Sequence, residues 1–229
     1  MCGRFTLVTE MPRLQARFHF ETVELPYAPS YNVAPGQSVL VVIRDHDHNR
    51  AGYLRWGLVP GWAKDPQIGQ RMINARVETV AEKPSFREAL RKRRCLVLAD
   101  GFYEWYKAKG GKQPVYVRLR DRQPFAFAGL WETWRDPAGT VLATCTILTT
   151  TANALLQPIH PRMPVILRPE AEAVWLDRCL TEPSQLLPIL TPLPAEKLEA
   201  YAVAPLVNSP RHNSPACIAP LSQEVPLPS

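Results

Sequence analysis

CLVLADGFYEWYKAKGGKQPVYVRLRDRQPFAFAGLW, residues 95–131, holds four strand-like runs in succession. Cys95–Ala99 is continuously apolar, as a buried strand would be. Phe102–Lys107 alternates, which puts Phe102, Glu104 and Tyr106 on one face and Tyr103 and Trp105 on the other. Val115–Arg120 and Phe125–Trp131 follow. Only the turn signals Gly110-Gly111 and Asp121-Arg122-Gln123-Pro124 separate them. Strands here do not alternate with helices, so a doubly wound parallel sheet is not expected. The expectation is an α+β fold: mostly antiparallel β, with a barrel-like sheet core and a few short flanking helices.

The flanking sequence extends this pattern. Val39–Arg44 and Arg50–Trp56 enclose Asp45-His46-Asp47-His48-Asn49, read as a hairpin loop, and Val141–Thr149 reads as a further strand after the turn Asp136–Gly139. Helices are predicted over Thr9–Phe18, with Thr9 as N-cap, Glu10 in the first turn and Leu14 over Phe18. Ser85-Phe86-Arg87-Glu88 has the form of a capping box opening a helix to about Arg94. Ala152–Gln157, Pro169–Cys179 and Ser184–Leu190 are shorter candidates. Fourteen of the 24 prolines fall after residue 157, so the last third is expected to be loop-rich. One domain is expected over residues 1–222, with residues 223–229 as a short flexible tail.

The chain has 229 residues, 46% of them apolar, enough for one sizeable core. No apolar run approaches the about 18 residues of a membrane span. The N-terminus lacks a signal-peptide apolar region, so a cytoplasmic location, away from membranes, is expected. The formal net charge is +6, and 20 of the 27 cations are arginine. Arginine's planar fork suits phosphate oxygens, although nucleotide composition bias explains the same excess equally well. Five widely spaced cysteines without a C-x-x-C pair argue against a disulfide framework or zinc ribbon. Cys95 and Cys145 fit as small core residues, Cys179 as a helix residue and Cys217 as a loop residue. His46 and His48 have H-x-H spacing, but on a polar hairpin tip they read as solvated; no metal and no cofactor are expected. Arg91-Lys92-Arg93-Arg94 ends a helix, where cations favour the dipole, with phosphate contact a secondary reading.

Cys2 stands out by position. Removal of the initiator Met1 would give an N-terminal cysteine with its α-amine and thiol on one carbon skeleton. Their reference pKa values, about 7.7–8.0 and about 8.5, leave both with a reactive fraction near neutral pH. Such a 1,2-aminothiol condenses with an aldehyde to an imine, and the thiol then closes a thiazolidine ring. Three further segments carry candidate polar groups, Asn74 in Asn74-Ala75-Arg76-Val77-Glu78, Glu104 in Gly101-Phe102-Tyr103-Glu104-Trp105 and His160 in His160-Pro161-Arg162-Met163-Pro164, and Trp56–Trp62 reads as a rigid aromatic loop. Taken singly, Glu104 reads first as a strand-face ion-pair partner, His160 first as a hydrogen-bonded loop residue and Asn74 equally as a turn amide. Asp100 and Glu132 are alternative carboxylates.

Taken together with Met1-Cys2-Gly3-Arg4-Phe5, Asn32-Val33-Ala34-Pro35 and Trp56-Gly57-Leu58-Val59-Pro60, these blocks resemble the SOS-response-associated peptidase (SRAP) family, in order from residue 1 to at least Val207-Asn208. The resemblance implies a single SRAP domain that senses abasic sites in single-stranded DNA. It implies attachment through a covalent thiazolidine crosslink at Cys2 after Met1 removal, shielding the lesion during the DNA-damage response. Cys2 is then the nucleophile, surrounded by Asn74, Glu104 and His160, and Arg4, Trp62, Arg76 and Arg162 match positions near DNA. The implied chemistry has Glu104 shuttling protons, its pKa raised by aromatic neighbours. His160 protonates the sugar ring oxygen, and Asn74 holds the amine or the ring by hydrogen bonds. The Schiff base also opens a lyase route. Self-processing of Met1 is the only proteolysis expected, and an aminopeptidase is an open alternative for that step. The expected partner is abasic-site single-stranded DNA, bound by a monomer, nucleoid-associated if the source is bacterial. Two rival readings are an N-terminal-nucleophile thiol peptidase or amidase, and a non-catalytic single-stranded DNA binder in which Cys2 is incidental.

Overall fold

The computed structural model describes residues 2–21, 26–108 and 111–221. Five strands close into a ring: β3 (Ser38–Asp45), β4 (His48–Trp56), β6 (Arg94–Ala99), β9 (Phe125–Arg135) and β10 (Val141–Thr151). All ring pairings are antiparallel except β4 with β10, which run parallel. The distal half of β10 leaves the ring and takes β5 (Asn74–Arg76), in parallel, through Ile147–Thr149 and β11 (Arg162–Pro164), antiparallel, through Thr149–Thr151. A second sheet has the order β12 (Leu198–Ala202), β8 (Gly111–Leu119), β7 (Gly101–Ala108), β1 (Phe5–Leu7) and β2 (Ser30–Val33).

Alternation along the strands builds two cores. Val39, Val41, Val97, Phe125, Phe127 and Ile147 meet Phe5, Phe102 and Val117 of the second sheet. The intervening residues Leu40, Val42, Leu96, Leu98, Ala126 and Ala128 meet the helices α1 (Met11–Phe18), α2 (Arg87–Lys92), α3 (Pro169–Leu176) and α4 (Pro183–Leu186). The far face of the second sheet packs Tyr103 and Tyr116 on Val203 and Val207, so the two faces assigned to Phe102–Lys107 are those observed.

Several local expectations are corrected. Thr9 does not cap α1. Its amide and hydroxyl both turn to Asp100, at 2.8 and 3.0 Å, and Glu10 becomes the N-cap with a proline in the first turn. The Ser85–Glu88 box does not form, because Phe86 holds the cap position and α2 ends at Lys92. Arg94 instead opens β6 and is buried. Its guanidinium donates to the carbonyls of Leu90 and Arg91 at 2.7 Å each, of Trp175 at 2.6 Å, and of Asp177, so one cation satisfies the ends of two helices. Ala152–Gln157 is a series of turns closed on Asn153, not a helix. α3 stops at Leu176, which leaves Cys179 exposed in the following turn. The β3–β4 hairpin is tighter than expected: pairing continues to Asp45 and His48, and His46 takes the left-handed conformation, φ 51°. Trp134 and Trp175 are core residues, whereas Trp131 is only half-buried. Gly110 and the tail at 223–229 lie outside the described residues. Among the described residues no helix is long and apolar enough to cross a membrane.

Candidate active site

Cys2 lies three residues before the start of β1 and is fully buried in the inter-sheet core with Phe5, Trp56 and Phe102. Its carbonyl oxygen accepts a 2.8 Å hydrogen bond from Asn74 Nδ2. Asn74 is fixed in turn by its strand: β5 lies beside Ile147 of β10, and the Trp56 indole donates to the carbonyl of the preceding Ile73 at 2.9 Å. Asn74 Oδ1 is buried and has no hydrogen-bond partner among the described residues, so an acceptor faces this site.

Glu104 comes from β7, on the strand face that the alternation turns inward beside Phe102 and Tyr106, and is 3% exposed. Burial raises its carboxyl above the ordinary value, and the nearby His160 pulls it partly back. Burial also raises the Cys2 thiol far above its ordinary value, and the Glu104 charge adds to the shift. An apolar cluster beside a carboxylate disfavours the thiolate. His160 precedes β11 in a turn whose amides close on Asn153 and Leu156, and its Nδ1 is 3.0 Å from the amide nitrogen of Arg162. Cys2, Asn74, Glu104 and His160, scattered over 158 positions of sequence, are thereby brought to one place.

The four residues matched to DNA contacts occupy different environments. Arg76 is exposed on β5, and Trp62 is 61% exposed. The Trp62 loop is rigid. Gly57 takes φ +130° and passes Gly69 so closely that a Cβ would lie 2.6 Å from its carbonyl oxygen, and Val59 and Ala63 pack on Trp134. Arg162 forks onto Glu78 at 2.6 and 2.9 Å and reaches the Thr149 carbonyl at 2.5 Å. Arg4 is half-buried and donates to Asn32 Oδ1 at 2.8 Å and the Val207 carbonyl at 2.7 Å, tying the start of β1 to the C-terminal segment.

Two participants were not singled out from sequence. Glu78 stood inside a quoted motif without a role. Asn32 carries three carbonyls, those of Val207, Ser209 and His212, which no local pattern announces. The alternative carboxylates serve structure: Asp100 accepts from Thr6, Val8 and Thr9, and Glu132 from Arg93. His46 is exposed at the hairpin tip, and the described residues contain no cluster of three metal-ligating side chains.

A family model described as SOS response associated peptidase (SRAP) matches residues 1–210. The abasic site processing protein YoqW of Bacillus subtilis (strain 168) is 51% identical over 221 residues, covering 95% of this chain and 99% of that one. The abasic site processing protein HMCES of Gallus gallus is 36% identical over 232 residues, covering 87% and 68%. A crystal structure of a protein from Bacteroides thetaiotaomicron superposes with a TM-score of 0.86 at 28% identity, over 96% of this chain and all of that one. Matched by the family model over residues 1–210 and half identical to a relative across nearly its whole length, the chain belongs to the SOS response associated peptidase (SRAP) family.

Proposed function

We propose that this protein processes abasic sites in DNA by bonding to them through Cys2. The observation that carries the reading is the hydrogen bond from Asn74 to the Cys2 carbonyl, with buried Glu104 in electrostatic reach of Cys2 and His160 in reach of Glu104. The relatives' names, as abasic site processing proteins, support it.

Removal of Met1 hydrolyses one peptide bond and frees the Cys2 amine. The amine adds to the C1′ aldehyde of the ring-opened sugar, and loss of water gives an imine. The Cys2 S–H then adds across the C=N bond, sulfur to carbon and proton to nitrogen, closing the thiazolidine. Glu104 is suited to relay these protons, giving one to the departing water, regaining one from nitrogen as the neutral imine forms, and passing the thiol proton on to nitrogen as the ring closes. Burial disfavours the Cys2 thiolate, so a carboxyl that relays the thiol proton favours ring closure. His160 protonates the ring oxygen as the sugar opens. If the thiol does not close the ring, loss of a C2′ proton expels the 3′ phosphate and cuts the strand, a lyase outcome.

Single-stranded DNA is the proposed substrate, held by Arg76, Arg162 and Trp62 through phosphate contact and stacking. With about four phosphates neutralised, log affinity falls against log salt with a slope near −3. The test is to mix the purified protein, its first residue verified by mass, with single-stranded DNA carrying one abasic site. A denaturation-stable shift, lost when one residue is inserted before Cys2, is expected. No stable shift from a chain that begins at Cys2 overturns the reading.

A further inference from the structure

Away from Cys2, a cleft of about 370 Å³ opens between the β3–β4 hairpin, the end of α2 and the turn after α3. Six of its ten lining residues are cations, Arg44, Arg50, Lys92, Arg93, Arg94 and Arg178, against one acid, Asp45. Some of this charge is spent locally. Arg50 pairs with Asp45 at 3.3 Å, Lys92 with Glu88 at 3.5 Å and Arg93 with Glu132 at 2.7 Å. Arg94 is committed to helix-end carbonyls. Arg44 donates to the neutral Asn49 amide oxygen at 3.2 Å, and Arg178 is exposed. Among the described residues, neither forms an ion pair.

Two helices end at this cleft, and helix C-termini repel anions. Arg94 removes that objection by donating to carbonyls at both ends. What remains is a pair of guanidinium groups without a carboxylate partner among the described residues, matched to phosphate oxygens, with the half-buried Trp131 lining the same cleft. The cleft is remote from Cys2. Arg50 lies six residues along β4 from Trp56, whose indole is bonded next to Asn74, and six residues of strand span about 20 Å.

We propose that this cleft is a second phosphate-backbone site, occupied by nucleic acid that runs on past the lesion held at Cys2. It rests on the DNA reading above. The test measures binding of undamaged single-stranded probes of about 6 and about 30 nucleotides, which bracket the footprint of a single binding groove, over a salt series. The variant is Arg44→Ala with Arg178→Ala, and the lysine pair serves as a charge-preserving control. The long probe is expected to bind the alanine pair more weakly, with a salt slope shallower by about 1.4, at about 0.7 per phosphate lost. The short probe, and the crosslinking rate on a short abasic probe, stay at the wild-type level, and the lysine pair recovers most of the slope. An unchanged affinity and slope on the long probe overturns the proposal, whether or not the two arginines affect binding to anionic vesicles. Failure of the wild-type protein to bind either probe overturns both the DNA reading and this one.

Discussion

The Glu78 carboxylate grips the Arg162 guanidinium with both oxygens, at 2.6 and 2.9 Å. The backbone amide of the same arginine lies 3.0 Å from His160 Nδ1. One residue therefore joins the turn after β5, which carries Asn74, to the imidazole. Under the proposed function, Glu78 therefore competes with phosphate for the Arg162 fork. Arg162 holds the Glu78 carboxyl below its ordinary value, with a smaller contribution from Arg76, so the carboxylate persists into mild acid.

Replacing Glu78 with Gln frees Arg162 for phosphate. An ion pair of this exposure is worth up to about 1 kcal/mol, so undamaged single-stranded DNA is expected to bind up to about five-fold tighter. Salt dependence should steepen by about 0.7 in slope. Anisotropy titrations of Glu78→Gln against wild type measure both; weaker binding would mean that the pair's role is to hold β5 in place.

Burial of Glu104 sets stability against the chemistry proposed for it. Its carboxyl is raised by burial, so the folded state holds the proton more tightly than the unfolded chain does. That contribution is present below the ordinary carboxylate pKa and is lost as pH rises through the raised one. Glu104→Gln should therefore melt above wild type near pH 7, with the gap closing near pH 4, while its crosslinking rate drops about 10²–10⁴-fold. Paired melting curves at the two pH values decide it.

Trp62 is the most exposed large apolar side chain in the described structure, on a loop already stiffened at Gly57. Trp62→Ala should leave the melting temperature unchanged and cost about 1–3 kcal/mol of single-strand affinity through lost stacking. Equal affinities would remove it from the interface.

Gly101 pairs with Thr6 of β1, and a Cβ there would sit 2.1 Å from the Tyr116 hydroxyl, which is itself 2.9 Å from Thr6 Oγ1. Gly101→Ala is expected to cost about 1–3 kcal/mol, or about 2–4 °C per kcal/mol. It should also depress crosslinking by shifting the strand that follows Cys2. Calorimetry with a crosslinking time course tests the two together.

With Cys2→Ala the amine survives and the thiol does not. The durable adduct should vanish and strand cleavage rise, and Cys2→Ser should behave similarly because its oxygen ring is less stable. Denaturing gels resolve the three outcomes. A durable adduct from Cys2→Ala rules the thiazolidine out.

The strands and their faces were legible because a period of two is local: Phe102–Lys107 states its own alternation, and Glu104's inward direction follows from it. The short motifs around Cys2, Asn74 and His160 were legible as blocks of residue types. Helix limits were not, since Asp100 drew Thr9 out of its capping role and Arg94, needed by two helix ends, was taken into β6. Nor could local sequence show that Cys2's sulfur is buried, that Glu78 holds Arg162, or that Arg44 and Arg178 share a cleft. Each depends on long-range pairings, of β5 and β11 along β10 and of the hairpin beside α2 and α3. Such contacts form only when the ring closes, and burial and charge at each group follow from that closure rather than from its neighbours in the chain.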